Sequence, residues 1–291
     1  MNLPSVSVVI PTYNYGRFLP TAIESVLAQT VAPLEIVVAD DGSTDNTPDV
    51  AASYGDKITY RRFDHQGVFS IRQAILACLR GNWFLNLDAD DWIEPNFVEC
   101  ALRAVAQNAG DKRLAFIYAD RVDFGAYQRV QTAPEFDREL FKRGNFVPMN
   151  SLIRLEVARL FGFDPAFNDG WGDYDFFLTL AKNGYLGKRI GNSRIHCRVH
   201  ADSITAATTL HDRKQQLMRR IVAKHSDFFD ASAAATAIRR FAPAAVLRHR
   251  IQEAFWARRY GKALGLLCRT AFTGPSALIP AWPETRKQKG T

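Results

Sequence analysis

Three aspartates crowd together at the end of an apolar segment, LNLDADDW (residues 85–92). Asp88, Asp90 and Asp91 would repel one another, and a carboxylate held away from water without a partner is costly. Two carboxylates two residues apart at the end of a strand can turn toward one cation that prefers hard oxygen ligands, such as Mg²⁺ or Mn²⁺. The segment therefore predicts a divalent-metal site, with an exposed turn as the alternative.

Two further polar clusters follow apolar, strand-like runs nearer the N-terminus. Pro11, Thr12, Tyr13 and Asn14 follow SVSVVI, and DDGSTDNT (40–47) follows LEIVVA. These runs alternate with amphipathic helical patterns, FLPTAIESVLAQ and SIRQAILACLRG. The resulting βαβαβ order predicts an α/β fold, Rossmann-like, with a mostly parallel sheet flanked by helices. Ligands bind beyond the carboxyl ends of the strands in such sheets, so we expect the three clusters to line one cleft.

The sequence lacks the glycine-rich motifs of two common nucleotide-binding folds. No GxGxxG follows the first strand, which disfavours a dinucleotide fold of the usual kind, and no GxxxxGK[ST] occurs, which excludes a P-loop protein. A phosphorylated ligand would then need positive charge from another source. A cation held by carboxylates supplies it.

Composition is ordinary for a soluble globular protein, with 291 residues, 47% of them hydrophobic, and a net charge of +7. The N-terminus has no basic region followed by an apolar run, and no uncharged apolar run reaches the ~18 residues of a spanning helix. We therefore expect a cytoplasmic protein. The basic flanks of residues 270–282 leave open a peripheral position at the inner face of a membrane.

Four motifs, VSVVIPTYN, EIVVADDGSTDNT, QGVFSIRQA and LNLDADDW, resemble in order and spacing the family 2 glycosyltransferases, which have the GT-A fold and use nucleotide sugars. The resemblance implies an inverting enzyme that moves one sugar from a nucleotide diphosphate sugar, UDP or dTDP preferred, to a hydroxyl. It also implies a role in bacterial surface glycan or polysaccharide synthesis. The acceptor would be a glycan, a lipid-linked molecule or a protein.

The resemblance also assigns residues to the nucleotide. A carboxylate can accept a hydrogen bond from the N3–H of uracil, which fits a uridine or thymidine donor. The third motif contributes an arginine, and the aspartate motif contributes its first two residues. The expected nucleotide contacts are Pro11, Thr12, Tyr13, Asn14, Asp40, Asp41, Arg72, Asp88 and Ala89.

The same resemblance assigns the metal ligands. Asp90 is expected to contact Mn²⁺ or Mg²⁺ directly, and Asp88 to contact the ribose or the metal. His200, in the segment RVHADS, matches a third ligand of some family members. We expect Asp91 to cap the segment that follows it.

Sugar transfer with inversion needs a base that removes the proton of the acceptor hydroxyl while the metal stabilises the departing diphosphate. By resemblance this base is Asp173, in GWGDYDFF. An acid at a helix start also has a structural explanation, because it stabilises the helix dipole. The expected acceptor contacts are Trp171, Gly172 and Tyr174. The aromatic rings of Trp171 and Tyr174 would either stack on a sugar or belong to the core. Gly172 stands where the family prefers glutamate.

We expect residues 1–205 to form the catalytic domain, with a nucleotide-sugar half in 1–110 and an acceptor half in 111–205. Residues 206–291 would form a helical, basic extension. Its arginines predict a solvated face or attraction to anionic lipid, and no recognition motif supports nucleic acid.

Two other classes of protein stay open at this point. One is a metal-dependent nucleotidyltransferase or phosphohydrolase that uses the same carboxylates. The other is a catalytically inactive GT-A scaffold, against which the intact Asp88, Asp90 and Asp173 argue.

Overall fold

The computed structural model describes residues 3–200, 211–240 and 260–262. Most of the predicted basic extension, including the apolar stretch 270–282, therefore lies outside the described residues. No helix in the described part of the chain is long and apolar enough to cross a membrane.

Within the described residues, nine strands form one sheet. The strand order is β3-β2-β1-β4-β8-β6-β9-β5, and β7 pairs with β6. The strands are β1 (Val6–Thr12), β2 (Glu35–Asp40), β3 (Thr59–Arg62), β4 (Trp83–Asn86), β5 (Trp92–Ile93), β6 (Leu114–Gly125), β7 (Arg129–Gln131), β8 (Leu152–Arg154) and β9 (Leu186–Val199). The helices are α1 (Leu19–Leu27), α2 (Thr47–Ala52), α3 (Val68–Ile75), α4 (Phe97–Gln107), α5 (Arg138–Lys142), α6 (Leu155–Phe161), α7 (Gly172–Lys182), α8 (His211–Lys224) and α9 (Ala231–Arg240).

The N-terminal half is the parallel α/β unit that the sequence pattern predicts. β1 pairs in parallel with β2 and β4, and β2 pairs in parallel with β3. Val8 and Ile10 face one apolar cluster and Val9 the other. Because successive side chains of a strand point to opposite faces, β1 is covered on both sides and reads as a continuous apolar run.

The second half adds antiparallel pairs to the sheet. β8 pairs antiparallel with both β4 and β6, whereas β9 runs parallel to β6 and antiparallel to β5. β6 extends to Gly125, and its C-terminal part pairs antiparallel with β7. The α/β fold is confirmed, and the parallel arrangement belongs mainly to the N-terminal strands, while the sheet as a whole is mixed.

The described part of the C-terminal extension packs on the preceding residues. Met218 and Ile221 of α8 are buried in the same apolar cluster as Tyr174 and Phe177 of α7. The extension predicted to follow residue 205 therefore shares a core with the helix that carries the candidate base.

Candidate active site at the carboxyl edge of the sheet

A buried arginine meets the aspartate turn that follows β4. Arg72 of α3 is 5% exposed, and its guanidinium donates to Asp88 and, through Nε, to Asn86 Oδ1 at 3.0 Å. The guanidinium also lies over the Phe69 ring, 4.7 Å from its centroid. The backbone N–H of Asp88 donates to Asn150 Oδ1 at 3.1 Å. Arg72 is thus one positive partner that the crowded aspartates need.

Asp90 lies against the histidine predicted to share its metal. Asp90 Oδ2 is 2.9 Å from His200 Nε2, and the two side chains are only 12% and 14% exposed. The rings of Tyr15 and Phe18 pack against His200. Burial raises the pKa of Asp90 and the charge of Asp88 raises it further, while the His200 hydrogen bond opposes both. A cation beside Asp90 would offset this cost.

The three predicted metal ligands are only partly assembled. Asp90 and His200 lie together, whereas Asp88 pairs with Arg72. Across the described ranges, no three or more His, Cys, Asp or Glu side chains are grouped so that they could hold a metal ion. Mg²⁺ is usually bound by one or two carboxylates together with substrate phosphates and water. The residues present therefore fit a cation whose coordination a diphosphate completes.

Asp91 does not have the capping role predicted for it. Its buried carboxylate accepts hydrogen bonds from Asn150 Nδ2 at 2.5 Å and from the backbone N–H of Arg198 at 2.8 Å. Burial raises its pKa well above the usual range, and the charges of Asp90 and Asp88 add to that shift. The next residues form β5 rather than a helix, so Asp91 instead ties the aspartate turn to β9.

The candidate base lies in the first turn of α7, as predicted. Asp173 Oδ1 accepts the backbone N–H of Tyr174 at 2.8 Å, and Oδ2 accepts Asn145 Nδ2, also at 2.8 Å. Asn145 Oδ1 in turn accepts the backbone N–H of Val147 at 3.0 Å. Because that bond orients the amide, its NH₂ group faces Asp173.

The electrostatics of Asp173 connect it to the aspartate turn. Burial raises the pKa of its carboxyl, whereas the Tyr174 N–H and the charge of Arg72 lower it, and Asp88 raises it again. The charges of Arg72 and Asp88 thus both influence the ionisation of Asp173. A carboxylate with a raised pKa is better matched to accepting a proton than an ordinary exposed aspartate.

The prediction that Tyr174 contacts the acceptor is wrong. Its ring is 1% exposed, and its hydroxyl donates to the backbone carbonyls of Phe141 and Lys142 at 2.9 and 3.0 Å. This aromatic residue joins α7 to the end of α5 in the core, where a sugar has no access to it.

The other two predicted acceptor residues stand at the start of α7. A Cβ on Gly172 would lie 2.6 Å from the Phe69 ring, so the glutamate that the family prefers has no room here. Trp171 is half-buried and has a left-handed backbone with φ of 63°. Of the three, Trp171 is the side chain that stays a predicted acceptor contact.

Asp40 is enclosed by its own loop, which corrects its assignment to the nucleotide. It is 0% exposed, and it accepts from the Ser43 N–H at 2.9 Å, the Ser43 hydroxyl at 2.5 Å and the Tyr60 hydroxyl at 2.5 Å. Burial and this carboxylate together raise the pKa of Tyr60. Asp40 therefore shapes the loop after β2 and offers no oxygen to a base.

The side chains of Asp41 and Asn14 also accept hydrogen bonds from neighbouring loops. Asp41 is buried and accepts the backbone N–H groups of Gln66 at 2.8 Å and Gly67 at 2.9 Å. Asn14 has φ of 56°, and its Oδ1 accepts the N–H of Thr44 at 2.7 Å. These hydrogen bonds fix the loops that follow β1 and β2, and the nucleotide contacts of the two side chains stay predictions.

Tyr13 is the predicted nucleotide residue that is most accessible. Its ring is 41% exposed and stacks on the His65 ring at a centroid distance of 4.1 Å. Pro11 and Thr12 are buried, and the Thr12 hydroxyl has no hydrogen-bond partner among the described residues. The Ala89 side chain lies in the core, so that only its backbone can face a ligand.

The asparagines that join these loops were not predicted from the sequence, and Asn168 is the clearest case. Its Oδ1 accepts the N–H groups of Phe69 at 2.7 Å and Ser70 at 3.3 Å, and its Nδ2 donates to the Gln66 carbonyl at 2.9 Å. Asn168 thus caps α3 from 99 positions away in the chain. Capping motifs in a sequence are local, so no local signal marks it.

We expect Asn168→Ala to lower the free energy of unfolding by about 0.5–2 kcal/mol, the usual effect of losing a helix cap. Urea unfolding measures the change. Asn168→Asp keeps an acceptor oxygen for the two N–H groups, so it should lose less. Equal losses in the two variants would show that the cap is not what stabilises this junction.

A model of the family described as Glycosyl transferase family 2 matches residues 7–166. The chain belongs to glycosyl transferase family 2. The matched residues include β1 from Ser7 onward, the loop after β2, Arg72 and the aspartate turn, so the four motifs of the resemblance lie within the match except for Val6, the first residue of the first motif.

Relatives of this family 2 member carry glycosyltransferase names. It is 42% identical over 226 residues to uncharacterized glycosyltransferase RT0329 of Rickettsia typhi, covering 73% of this chain and 69% of the relative. It is 31% identical over 207 residues to chondroitin synthase of Pasteurella multocida, covering 67% of this chain. The match spans only 21% of that synthase, and also 21% of the hyaluronan synthase of Pasteurella multocida.

Solved structures with low sequence identity share the fold. TarS 1–349 of S. aureus, in complex with UDP-GlcNAc, aligns with a TM-score of 0.64 at 16% identity over 90% of this chain and 89% of that one. The mannosyltransferase PcManGT of Pyrobaculum calidifontis, in complex with GDP-Man and Mn²⁺, aligns with a TM-score of 0.58 at 19% identity over 94% and 77%. These likenesses confirm the predicted GT-A fold.

Proposed function

We propose that this family 2 glycosyltransferase moves a single sugar, with inversion, from a nucleoside diphosphate sugar to a hydroxyl acceptor. The observation that carries the proposal is the Asp173 carboxylate. It is hydrogen-bonded by Asn145, its pKa is raised by burial, and it lies within reach of the charges of Arg72 and Asp88. A base and a cation-binding turn on one cleft are what an in-line displacement at a sugar requires.

The donor is a nucleotide sugar in this proposal, with UDP preferred to dTDP and GDP. The UDP-GlcNAc and UDP complexes of TarS support UDP, and the GDP-Man complex of PcManGT makes GDP the alternative. Asp40 is enclosed by Ser43 and Tyr60, so it cannot accept a hydrogen bond from the N3–H of uracil. The preference for UDP therefore does not rest on Asp40. The exposed Tyr13 ring is the side chain that we assign to base stacking.

Asp90 and His200 would hold Mn²⁺ or Mg²⁺, with Asp88 beside them. Such a cation supplies stabilisation of the charge that develops on the departing diphosphate. The Mn²⁺ in the PcManGT complex supports the choice of a divalent ion.

The protein's own residues perform the rest of the reaction. Asp173 takes the proton of the acceptor hydroxyl as the oxygen attacks the sugar carbon. Asn145 donates to Asp173 Oδ2 and so orients the carboxylate toward one productive geometry. Arg72 fixes Asp88 and contributes positive charge to the wall of the cleft. Trp171, at the start of α7, is placed to contact the acceptor.

The matched synthases of chondroitin and hyaluronan support a role in polysaccharide synthesis for this chain. We assign it to the cytoplasmic side of the membrane, where a lipid-linked or glycan acceptor is made accessible. The basic residues Arg269, Arg286, Lys287 and Lys289 around the apolar stretch 270–282 support a peripheral contact with anionic lipid.

Product analysis tests this function. The purified chain is incubated with UDP-GlcNAc or GDP-Man, with Mn²⁺, and with chondroitin or hyaluronan oligosaccharides as trial acceptors. We expect release of the nucleoside diphosphate that needs both the metal and an acceptor, together with a glycosylated product. Transfer of the nucleoside monophosphate with release of sugar 1-phosphate would identify a nucleotidyltransferase, and release of the nucleoside diphosphate at the same rate without an acceptor would identify a hydrolase. No nucleotide binding and no release under any condition would favour an inactive scaffold.

A further inference from the structure

Helix α8 lies across the segment that leads into the candidate base. Arg220 Nη1 is 2.8 Å from Asp169 Oδ2. Lys224 Nζ lies between two carboxylates, 2.7 Å from Asp164 Oδ2 and 2.8 Å from Asp175 Oδ2. Basic side chains of one helix thus pair with three aspartates that lie within a few residues of the start of α7.

The contact with Asp175 continues into the core. His225 follows α8 directly and is fully buried, and its Nε2 is 2.9 Å from Asp175 Oδ1. Both oxygens of Asp175 are therefore held by residues from the end of α8. Removing one partner of such a buried pair is costly because the other is left uncompensated. Asp175 lies in the same first turn of α7 as Asp173, two residues further on.

The same helix also fixes the loop before α7. The Arg220 guanidinium and the Lys224 ammonium lie over the Phe167 ring, 4.8 and 5.2 Å from its centroid. Arg220 Nη2 donates to the backbone carbonyl of Ala166. This loop also contains Asn168, which caps α3, so α8 supports the junction between the donor side and the acceptor side.

The residues just after α8 also contact α5. Phe228 follows α8, and the Lys142 ammonium of α5 lies 4.3 Å from its ring centroid. The chain that leaves α5 supplies Asn145, whose amide donates to Asp173. The residues that follow α8 therefore contact α7 through Asp175 and α5 through Lys142, three positions before Asn145.

We propose that α8 and the residues just after it position the candidate base: Lys224 and His225 hold the first turn of α7 through Asp175, so that Asp173 faces the cleft in one orientation. This inference rests on the proposed function of Asp173. It also gives a role to Arg220 and Lys224, which the sequence alone would place on a solvated or lipid-facing basic surface. Lys224 and His225 are positioning residues here, because neither touches Asp173 itself.

Substitutions at Lys224 separate positioning from general stability. Lys224 is more than one third exposed, so we expect Lys224→Met to fold. It leaves Asp164 and Asp175 without their shared cation, whereas Lys224→Arg keeps a cation with several donors. Asp227→Ala is the matched control, because it removes the ion pair of Asp227 with Lys182, which joins the same region to the far end of α7 at 3.1 Å.

Two readouts are measured on the full chain. Hydrogen–deuterium exchange of the peptide 164–175 should rise in Lys224→Met and stay near wild type in Lys224→Arg and Asp227→Ala. With UDP-GlcNAc or GDP-Man as donor, kcat of Lys224→Met should fall by about tenfold or more, because small misplacements of a reacting group are that costly. The donor KM should change by less than about twofold, since the donor side is untouched.

A role in stability alone predicts a different result. If Lys224→Met and Asp227→Ala lower Tm alike, leave exchange at 164–175 unchanged and keep wild-type kcat per folded molecule, the positioning role of α8 is refuted. Asp173→Asn is run in parallel. If that variant keeps full activity, the assignment of the base fails, and the exchange data still decide whether α8 orders the segment.

Discussion

We expect Asp173→Asn to lower kcat for sugar transfer by about 10²- to 10⁴-fold, which is the usual contribution of a general base. The amide keeps the size of the side chain and can still accept the hydrogen bond from Asn145, but it cannot take a proton. Nucleotide binding should change little, because Asp173 lies on the acceptor side of the cleft. Steady-state kinetics and calorimetric titration with UDP measure the two effects separately.

The pH dependence follows from the direction of the pKa shift. Burial raises the pKa of Asp173 above the ordinary value of 3.8. Since only the carboxylate can accept a proton, kcat/KM should rise with pH through that raised pKa, and its acid limb should lie above that of an ordinary aspartate. Asn145→Ala removes a donor to the charged form and should move the limb to still higher pH.

Stability should change in the opposite direction to activity. The folded protein holds the Asp173 proton more tightly than the unfolded chain does. Ionisation of this group therefore costs folding stability as pH rises above the ordinary pKa of an aspartate, and the cost is fully present above the raised pKa of the folded state. Asp173→Asn removes it, so we expect Tm at pH 7 to equal or exceed that of the wild type.

The control for Asp173 is another acid in a first turn. Asp49 lies exposed in the first turn of α2 and has the same favourable relation to a helix dipole. Asp49→Asn should leave kcat unchanged and lower stability slightly. If Asp173→Asn behaves in the same way, Asp173 only stabilises its helix and the base must be sought elsewhere.

The donor side of the fold was predictable because its signals are local. β1 and β2 are buried on both faces, so each is a short apolar run, and the polar loops at their ends mark the cleft directly. β8 was not predictable, because three residues show no periodicity and its antiparallel pairing is decided by partners more than thirty positions away, in β4 and β6.

The roles of single side chains were less predictable than their positions. Asp40 reaches the predicted edge of the sheet, but Tyr60, twenty positions on, encloses it. Tyr174 lies next to Asp173 in sequence, yet its hydroxyl turns to the carbonyls at the end of α5. A motif places a residue near a site, whereas long-range hydrogen bonds decide whether the residue is available to a ligand.

The clearest test of the aspartate turn is Asp90→Ala, titrated with UDP, dTDP and GDP in the presence and absence of Mn²⁺. We expect wild-type protein to bind one of these diphosphates tightly only with Mn²⁺. The variant should lose about 100-fold or more of that affinity, since even residues that merely support metal ligands contribute about 10- to 100-fold. Without metal, Asp90→Ala should bind the diphosphates at least as well as the wild type, because Asp90 then contributes only repulsion to a diphosphate.

Asp64→Ala is the control for charge in this titration. Asp64 lies exposed in the loop that precedes α3, so the variant loses the same negative charge without touching the turn. It should bind nucleotide and Mn²⁺ as the wild type does. If Asp90→Ala also matches the wild type, the metal assignment is wrong. The crowding of Asp88 and Asp90 would then be explained by Arg72 and His200 alone, the cation and the hydrogen-bond partner that already face the two carboxylates.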